Sequence, residues 1–261
     1  MIGAIAGDVI GSVHEGAGTK TKNFPLFVND CRFTDDSVLT IAVASRLLNG
    51  GDYVDTFHEF FDGYPRAGYG GSFIRWARDR NREPYNSWGN GSAMRVSPIG
   101  FAFDSIEEVM YQARASAEVT HNHPEGIRGA QATAVAILLA RMGRDKVDIK
   151  RLIETEFGYQ LDERLDDIRE TYEFDVSCQG SVPQSIIAFL ESEDYEDAVR
   201  NAISLGGDAD TMACIAGGIA EAFYGSVPDD ISSRVLNLLD PRLRDIAIEF
   251  RRAYGNRGIW R

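Results

Sequence analysis

Residues 206–224 restrict this chain more than any other stretch. Gly206-Gly207-Asp208-Ala209-Asp210-Thr211 opens an apolar run from Met212 to Tyr224, in which Ala213, Ala216, Gly217 and Ala220 recur at helical spacing. Small side chains on one face let a helix approach its neighbours closely, so the pattern predicts a buried helix over Asp210–Tyr224. The two glycines free the backbone to turn. Asp208 suits the N-cap, and Asp210 and Thr211 fall in the first turn. A second acidic opening, Phe33-Thr34-Asp35-Asp36-Ser37, precedes another helix over Ser37–Leu48 that is apolar nearly all round and stopped by Asn49-Gly50-Gly51.

The remaining segments read the same way. Ile2–Val13 carries Gly3, Gly7 and Gly11 four residues apart, which outside a membrane marks a tightly packed buried helix. Helices are predicted over Tyr53–Phe61, Ser72–Arg80, Ile106–Val119, Glu125–Met142, Asp148–Glu156, Asp162–Thr171, Val182–Leu190 with Pro183 in its first turn, Tyr195–Leu205, Asp229–Leu239 and Pro241–Tyr254. Glu15–Arg32, Gly63–Gly71 and Asn81–Gly100 read as irregular, the last rich in Gly, Pro, Asn and Ser like loops that line sites. No segment alternates as a strand does, and there is no repeat or linker. The expected fold is all-α, as one domain over residues 1–261.

The chain has 261 residues, is 44% hydrophobic and carries a net charge of −13. That sign argues against electrostatic binding to nucleic acid or to an anionic membrane. It also opposes anionic ligands unless bound cations reverse the local charge. Cys31, Cys178 and Cys214 show no CxxC spacing and suit a reducing cytoplasm. The apolar N-terminus is interrupted by Asp8, and no apolar run reaches the roughly 18 residues of a membrane span. A soluble cytoplasmic monomer is the expectation.

Taken together, the two acidic openings bring hard oxygen ligands: Thr34, Asp35 and Asp36 from one, Asp208, Asp210 and Thr211 from the other. Mg²⁺ and Mn²⁺ favour such sets, and more than one cation would relieve the repulsion among so many carboxylates. Capping alone is the competing account of each cluster. An EF-hand fails, because counting from Asp208 puts Ala213 and Ile219 where Gly and Glu are required. Gly68-Tyr69-Gly70-Gly71-Ser72 and Gly89-Asn90-Gly91-Ser92-Ala93-Met94-Arg95 can each present N–H groups to a phosphate or simply make turns. Neither is a Walker A loop. His121 and His123, on either side of Asn122, are open to ligand contact, to metal ligation or to helix capping. Glu15 follows the first helix, within reach of a site.

In order along the chain, Gly7-Asp8-Val9-Ile10-Gly11 with Glu15, Phe33-Thr34-Asp35-Asp36-Ser37, Gly68-Tyr69-Gly70-Gly71, Gly89-Asn90-Gly91-Ser92-Ala93-Met94-Arg95, Thr120-His121 and Gly206-Gly207-Asp208-Ala209-Asp210-Thr211 resemble the motifs of the ADP-ribosylglycohydrolase family. The resemblance spans Ile2 to Tyr224. It implies a compact orthogonal helical bundle with two Mg²⁺ or Mn²⁺ ions at the bottom of a cleft. By match to the motifs, Thr34, Asp35, Asp36, Asp208, Asp210 and Thr211 would be metal ligands. Gly70, Gly71, Asn90, Gly91, Ser92 and His121 would line the ADP-ribose pocket, and Asp36, Glu15 and Asp210 would be the catalytic carboxylates.

The implied reaction is hydrolysis of the bond between ribose C1″ and an acceptor, releasing ADP-ribose from an ADP-ribosylated protein or an ADP-ribose derivative. Asp36 or Glu15 would act as general base or help the leaving group. Members of the family differ in acceptor, and an arginine linkage is favoured slightly over serine, with O-acetyl-ADP-ribose as the small-molecule alternative. The rival readings are a silent ADP-ribose-binding module and a metal-dependent phosphohydrolase, which would release AMP.

Overall fold

The computed structural model describes residues 1–255. Fourteen α-helices occur among them: α1 Ile2–Gly11, α2 Asp35–Asn49, α3 Tyr53–Gly63, α4 Gly71–Arg78, α5 Ser97–Ala102, α6 Ile106–Glu118, α7 Pro124–Arg141, α8 Lys146–Phe157, α9 Leu165–Thr171, α10 Cys178–Leu190, α11 Tyr195–Ile203, α12 Ala209–Tyr224, α13 Asp229–Leu238 and α14 Pro241–Tyr254. The described residues contain no strand, only an isolated bridge between Gly89 and Ser177. The fold is all-α, as expected. No described helix is long and apolar enough to cross a membrane.

The core is built on α12, which packs against α1, α11, α10, α7 and α5. Its small-residue face meets the glycine face of α1 at backbone contact. A Cβ on Gly7 would lie 2.0 Å from the Ala213 carbonyl oxygen, and one on Gly3 would lie 2.4 Å from that of Gly217. No side chain other than hydrogen fits there, which is why this helix tolerates the propensity cost of three glycines. The close crossing carries the head of α12 to the C-terminal half of α1, where Asp8 lies.

Two expectations need correction. Asn81–Gly100 is not wholly irregular: Asn90–Ser92 forms a 3₁₀ turn and α5 begins at Ser97, with Pro98 pre-set for its first turn. Helix α10 begins at Cys178, not Val182. Ser177 caps it by accepting from the Gly180 N–H, and Pro183 lies inside. The carbonyl that Pro183 leaves unpaired is that of Gln179, an exposed residue, so water can satisfy it.

Candidate active site

The heads of α2 and α12 meet over α1, and Asp8 is the residue between them. It is fully buried and accepts four hydrogen bonds: the Thr34 N–H at 3.0 Å, the Thr34 hydroxyl at 2.6 Å, the Ser37 N–H at 3.1 Å and the Ser37 hydroxyl. Thr34 caps α2 in turn, its Oγ1 accepting from the Asp36 N–H at 3.2 Å. Asp36 Oδ2 accepts from the Thr211 hydroxyl at 3.3 Å, which joins α2 to α12. Asp36 Oδ1 is buried with no hydrogen-bond partner.

Asp208 holds the N-cap position of α12 but does not cap it. Its Oδ2 instead accepts from Asn90 Nδ2 at 2.8 Å, tying the helix head to the 3₁₀ turn of the glycine loop. Asn90 also donates to Ser181 on α10 at 3.2 Å.

Two groups of carboxylates result. One oxygen from each of Asp8, Asp36 and Asp210 lies within 4.8 Å of the others, and so does one from each of Glu15, Asp208 and Asp210. Burial and then the Asp210 and Asp8 charges push Asp36 well above the usual carboxylate range. Burial and then Asp208 do the same to Asp210. Asp35 is pushed up to about 8, by burial first and Asp8 next. Partial burial and Asp208 raise Glu15, with Arg32 pulling the other way. Carboxylates arranged so densely, with no cationic side chain in either group, match the donor set of a hard divalent cation. The unpartnered Asp36 Oδ1 is the atom such an ion would satisfy.

This floor closes a cleft of about 420 Å³. One wall is the start of α4. A Cβ on Gly70 or Gly71 would meet nothing within 4 Å, so these glycines leave N–H groups at a helix N-terminus open to the cleft. The turn at Gly89, Asn90 and Gly91, backed by His121, also lines the cleft. Arg32, Arg66, Tyr85, Phe174 and Val176 are among the other residues of the lining.

A profile of ADP-ribosylglycohydrolases matches residues 1–258. The chain belongs to the ADP-ribosylglycohydrolase family. Human ADP-ribosylhydrolase ARH3 is 29% identical over 305 residues, covering 86% of this chain and 84% of the human protein. Mouse ADP-ribosylhydrolase ARH3 is 30% identical, covering 86% and 82%. The putative ADP-ribosyl glycohydrolase L543 of Acanthamoeba polyphaga mimivirus is 24% identical, covering 91% and 89%. Among solved structures, an ADP-ribosylglycohydrolase-related protein complex superposes with a TM-score of 0.67 at 25% identity, covering 97% of this chain and 96% of the other.

The glycohydrolase brings most of the sequence-selected residues together. Glu15, Thr34, Asp35, Asp36, Gly70, Gly71, Asn90, Gly91, His121, Asp208, Asp210 and Thr211 all line the one cleft. Asp35 does so outside both carboxylate groups, beside Gly68. Ser92 does not line it: its fully buried hydroxyl donates to the Gly126 carbonyl at 2.7 Å and fastens the loop to α7. His123 is the cap of α7, accepting from the Glu125 N–H. Asp8, which lies in the first motif, has no role in the sequence pattern and gains one only in the fold. Its signal was present, as the one charge in an otherwise apolar glycine-faced helix.

Proposed function

We propose that the glycohydrolase cleaves the N- or O-glycosidic bond between ribose C1″ of ADP-ribose and an acceptor, releasing ADP-ribose, in the cytoplasm and as a monomer. The observation that carries this reading is the pair of carboxylate groups sharing Asp210 beneath two glycine-walled loops. Asp8, Asp36 and Asp210 would hold one Mg²⁺ or Mn²⁺ and Glu15, Asp208 and Asp210 a second, with Asp35 and the Thr34 and Thr211 hydroxyls alongside. Bound there, divalent cations supply positive charge and Lewis acidity towards ribose hydroxyls and water.

The chain's own groups divide the remaining work. N–H groups of Gly70, Gly71 and Gly91 bind the diphosphate, those of Gly89 and Asn90 being spent on the Ser87 hydroxyl and the Val176 carbonyl. The Asp36 oxygen that the cation does not hold takes the proton of the attacking water. Glu15, at the edge of the second group, helps the acceptor atom to leave by orienting the water that protonates it. Asp210 offsets the charge that develops on the oxocarbenium-like ribose. The acceptor is a protein side chain, with arginine ahead of serine, because the carboxylates of Glu15 and Asp35 along the cleft complement a guanidinium. The names of the ADP-ribosylhydrolase relatives support an ADP-ribosylated substrate.

The test is release of free ADP-ribose from peptides bearing arginine-linked or serine-linked ADP-ribose and from O-acetyl-ADP-ribose, each with Mg²⁺, Mn²⁺ or EDTA. Metal-dependent release, lost in the Asp208→Ala/Asp210→Ala double variant, supports the reading and names the acceptor. AMP as the product would overturn it in favour of a phosphohydrolase. Binding of ADP-ribose without release from any substrate would leave only a binding module.

A further inference from the structure

Beneath the glycine loop lies a fully buried guanidinium whose hydrogen-bond partners are all neutral. Arg95 covers the Phe57 ring at 4.4 Å and donates to the Ser116 carbonyl at 2.5 Å, the Ser116 hydroxyl at 3.4 Å and the Thr120 hydroxyl at 2.9 Å. Its Nη1 has no partner. Thr120 Oγ1 lies 2.8 Å from His121 Nδ1.

The direction of each bond follows from the donors. A guanidinium only donates, so Arg95 occupies one lone pair of the Thr120 oxygen. Thr120 is fully buried, so its hydroxyl hydrogen would be costly to leave without an acceptor. Thr120 has a single hydrogen left to place, and His121 Nδ1 is the acceptor in reach. A neutral imidazole that accepts at Nδ1 carries its hydrogen on Nε2. That atom takes no hydrogen bond from the described residues. It would sit 3.3 Å from a Cβ on Gly91 and 3.6 Å from one on Gly89, so the two glycines keep it uncovered at the cleft wall.

We infer that Arg95 and Thr120 are positioning residues that fix His121 as its neutral Nε2–H tautomer, giving the cleft a hydrogen-bond donor for an acceptor oxygen of the nucleotide's diphosphate or ribose. The nature of that acceptor rests on the function proposed above, whereas the tautomer does not. Burial, and after it the Arg95 charge, holds His121 well below the usual histidine range, so the donor is an imidazole and not an imidazolium.

Long-range ¹H–¹⁵N NMR of the free protein reads the tautomer directly. The expected pattern for His121 is Nε2 in the protonated range and Nδ1 in the unprotonated range. Thr120→Val should mix the two tautomers and weaken ADP-ribose binding, measured calorimetrically with Mg²⁺, by about 3- to 10-fold, the loss of one neutral hydrogen bond. Thr120→Ser should restore both. A protonated Nδ1 in the wild-type protein overturns the inference, and so does a Thr120→Val protein with unchanged tautomer and affinity. A wild-type protein that shows the expected tautomer yet binds no ADP-ribose overturns the nucleotide reading alone.

Discussion

Asp8 holds Thr34 by both ends, accepting its N–H at 3.0 Å and its hydroxyl at 2.6 Å. One carboxylate on α1 thereby sets the first turn of α2, and with it the place of Asp36. Every donor to Asp8 is neutral. Asp8→Asn replaces an acceptor oxygen by an NH₂ facing the hydroxyl and N–H donors of Thr34 and Ser37. The expected loss is about 2–3 kcal/mol by urea unfolding, since buried donors are left unpaired. The stabilisation that Mg²⁺ or Mn²⁺ gives the wild type should also shrink. An Asn variant as stable and as responsive to metal as the wild type would remove Asp8 from the site.

Removing metal should make stability fall with rising pH. Asp8, Asp35, Asp36, Asp208, Asp210 and Glu15 are all raised by burial. A carboxyl with a raised folded-state pKa binds more protons folded than unfolded above about pH 4. The contribution is therefore most favourable below the unfolded pKa and is lost as pH climbs to about 8, the value for Asp35. In EDTA, the Tm at pH 8 is expected to lie about 5 °C or more below that at pH 5.5. Saturating Mn²⁺ should reverse most of the difference. A Tm in EDTA that rises over this interval would show that the cluster is not desolvated as described.

Much of this was legible in the sequence, for physical reasons that differ by element. Helices α1, α2 and α12 announce themselves because burial on all sides demands an apolar or small residue at nearly every turn. The acidic heads of α2 and α12 stand out because carboxylates before buried helices are expensive without a partner. Asp8 carries the same cost, but a single acidic residue in an apolar run has no spacing to mark it, and only the crossing of α1 with α12 shows what it meets. Ser92 was misjudged because a motif fixes the backbone of a loop without saying which way each side chain turns. Helix α5 was missed because six residues with Gly, Ser and Pro among them carry no helical period. The capping role of His123 depended on φ and ψ that the sequence leaves open.

The glycines separate packing from binding. Gly7→Ala would force a Cβ to within 2.0 Å of the Ala213 carbonyl oxygen, so α1 must move off α12. The expected cost is about 3 kcal/mol or more, and activity should fall with it as Asp8 and Asp210 part. Gly71→Ala meets nothing within 4 Å and sits in the first turn of α4. It should leave unfolding unchanged to about 0.5 kcal/mol while weakening ADP-ribose binding about tenfold, because the methyl occupies the ligand's approach to the N–H groups. Paired urea titrations and calorimetry separate the two. Equal stability losses in both variants would mean that α4 glycines serve packing after all.

Lys20 tests whether the loop bearing Glu15 must be held. Its ammonium donates to the Tyr172 carbonyl at 2.5 Å and the Leu205 carbonyl at 2.6 Å. Leu205 directly precedes the Gly206-Gly207-Asp208 turn, and Tyr172 leads into Phe174 and Val176 at the cleft. One side chain thus joins three segments around the carboxylates. The same loop is fastened further along, where Arg200 donates to the Lys22 and Phe24 carbonyls at 2.8 and 2.7 Å. With that second anchor in place, Lys20→Met should not unfold the loop and should cost under about 1 kcal/mol in stability. It should, however, let Glu15 drift from Asp208 and Asp210, lowering kcat about tenfold or more with KM changed less than threefold. Combining it with Glu15→Gln gives the decisive comparison, since residues acting through one another are not additive. If the double variant loses activity as the product of the two single losses, Lys20 does not act through Glu15 and the loop needs no such fastening.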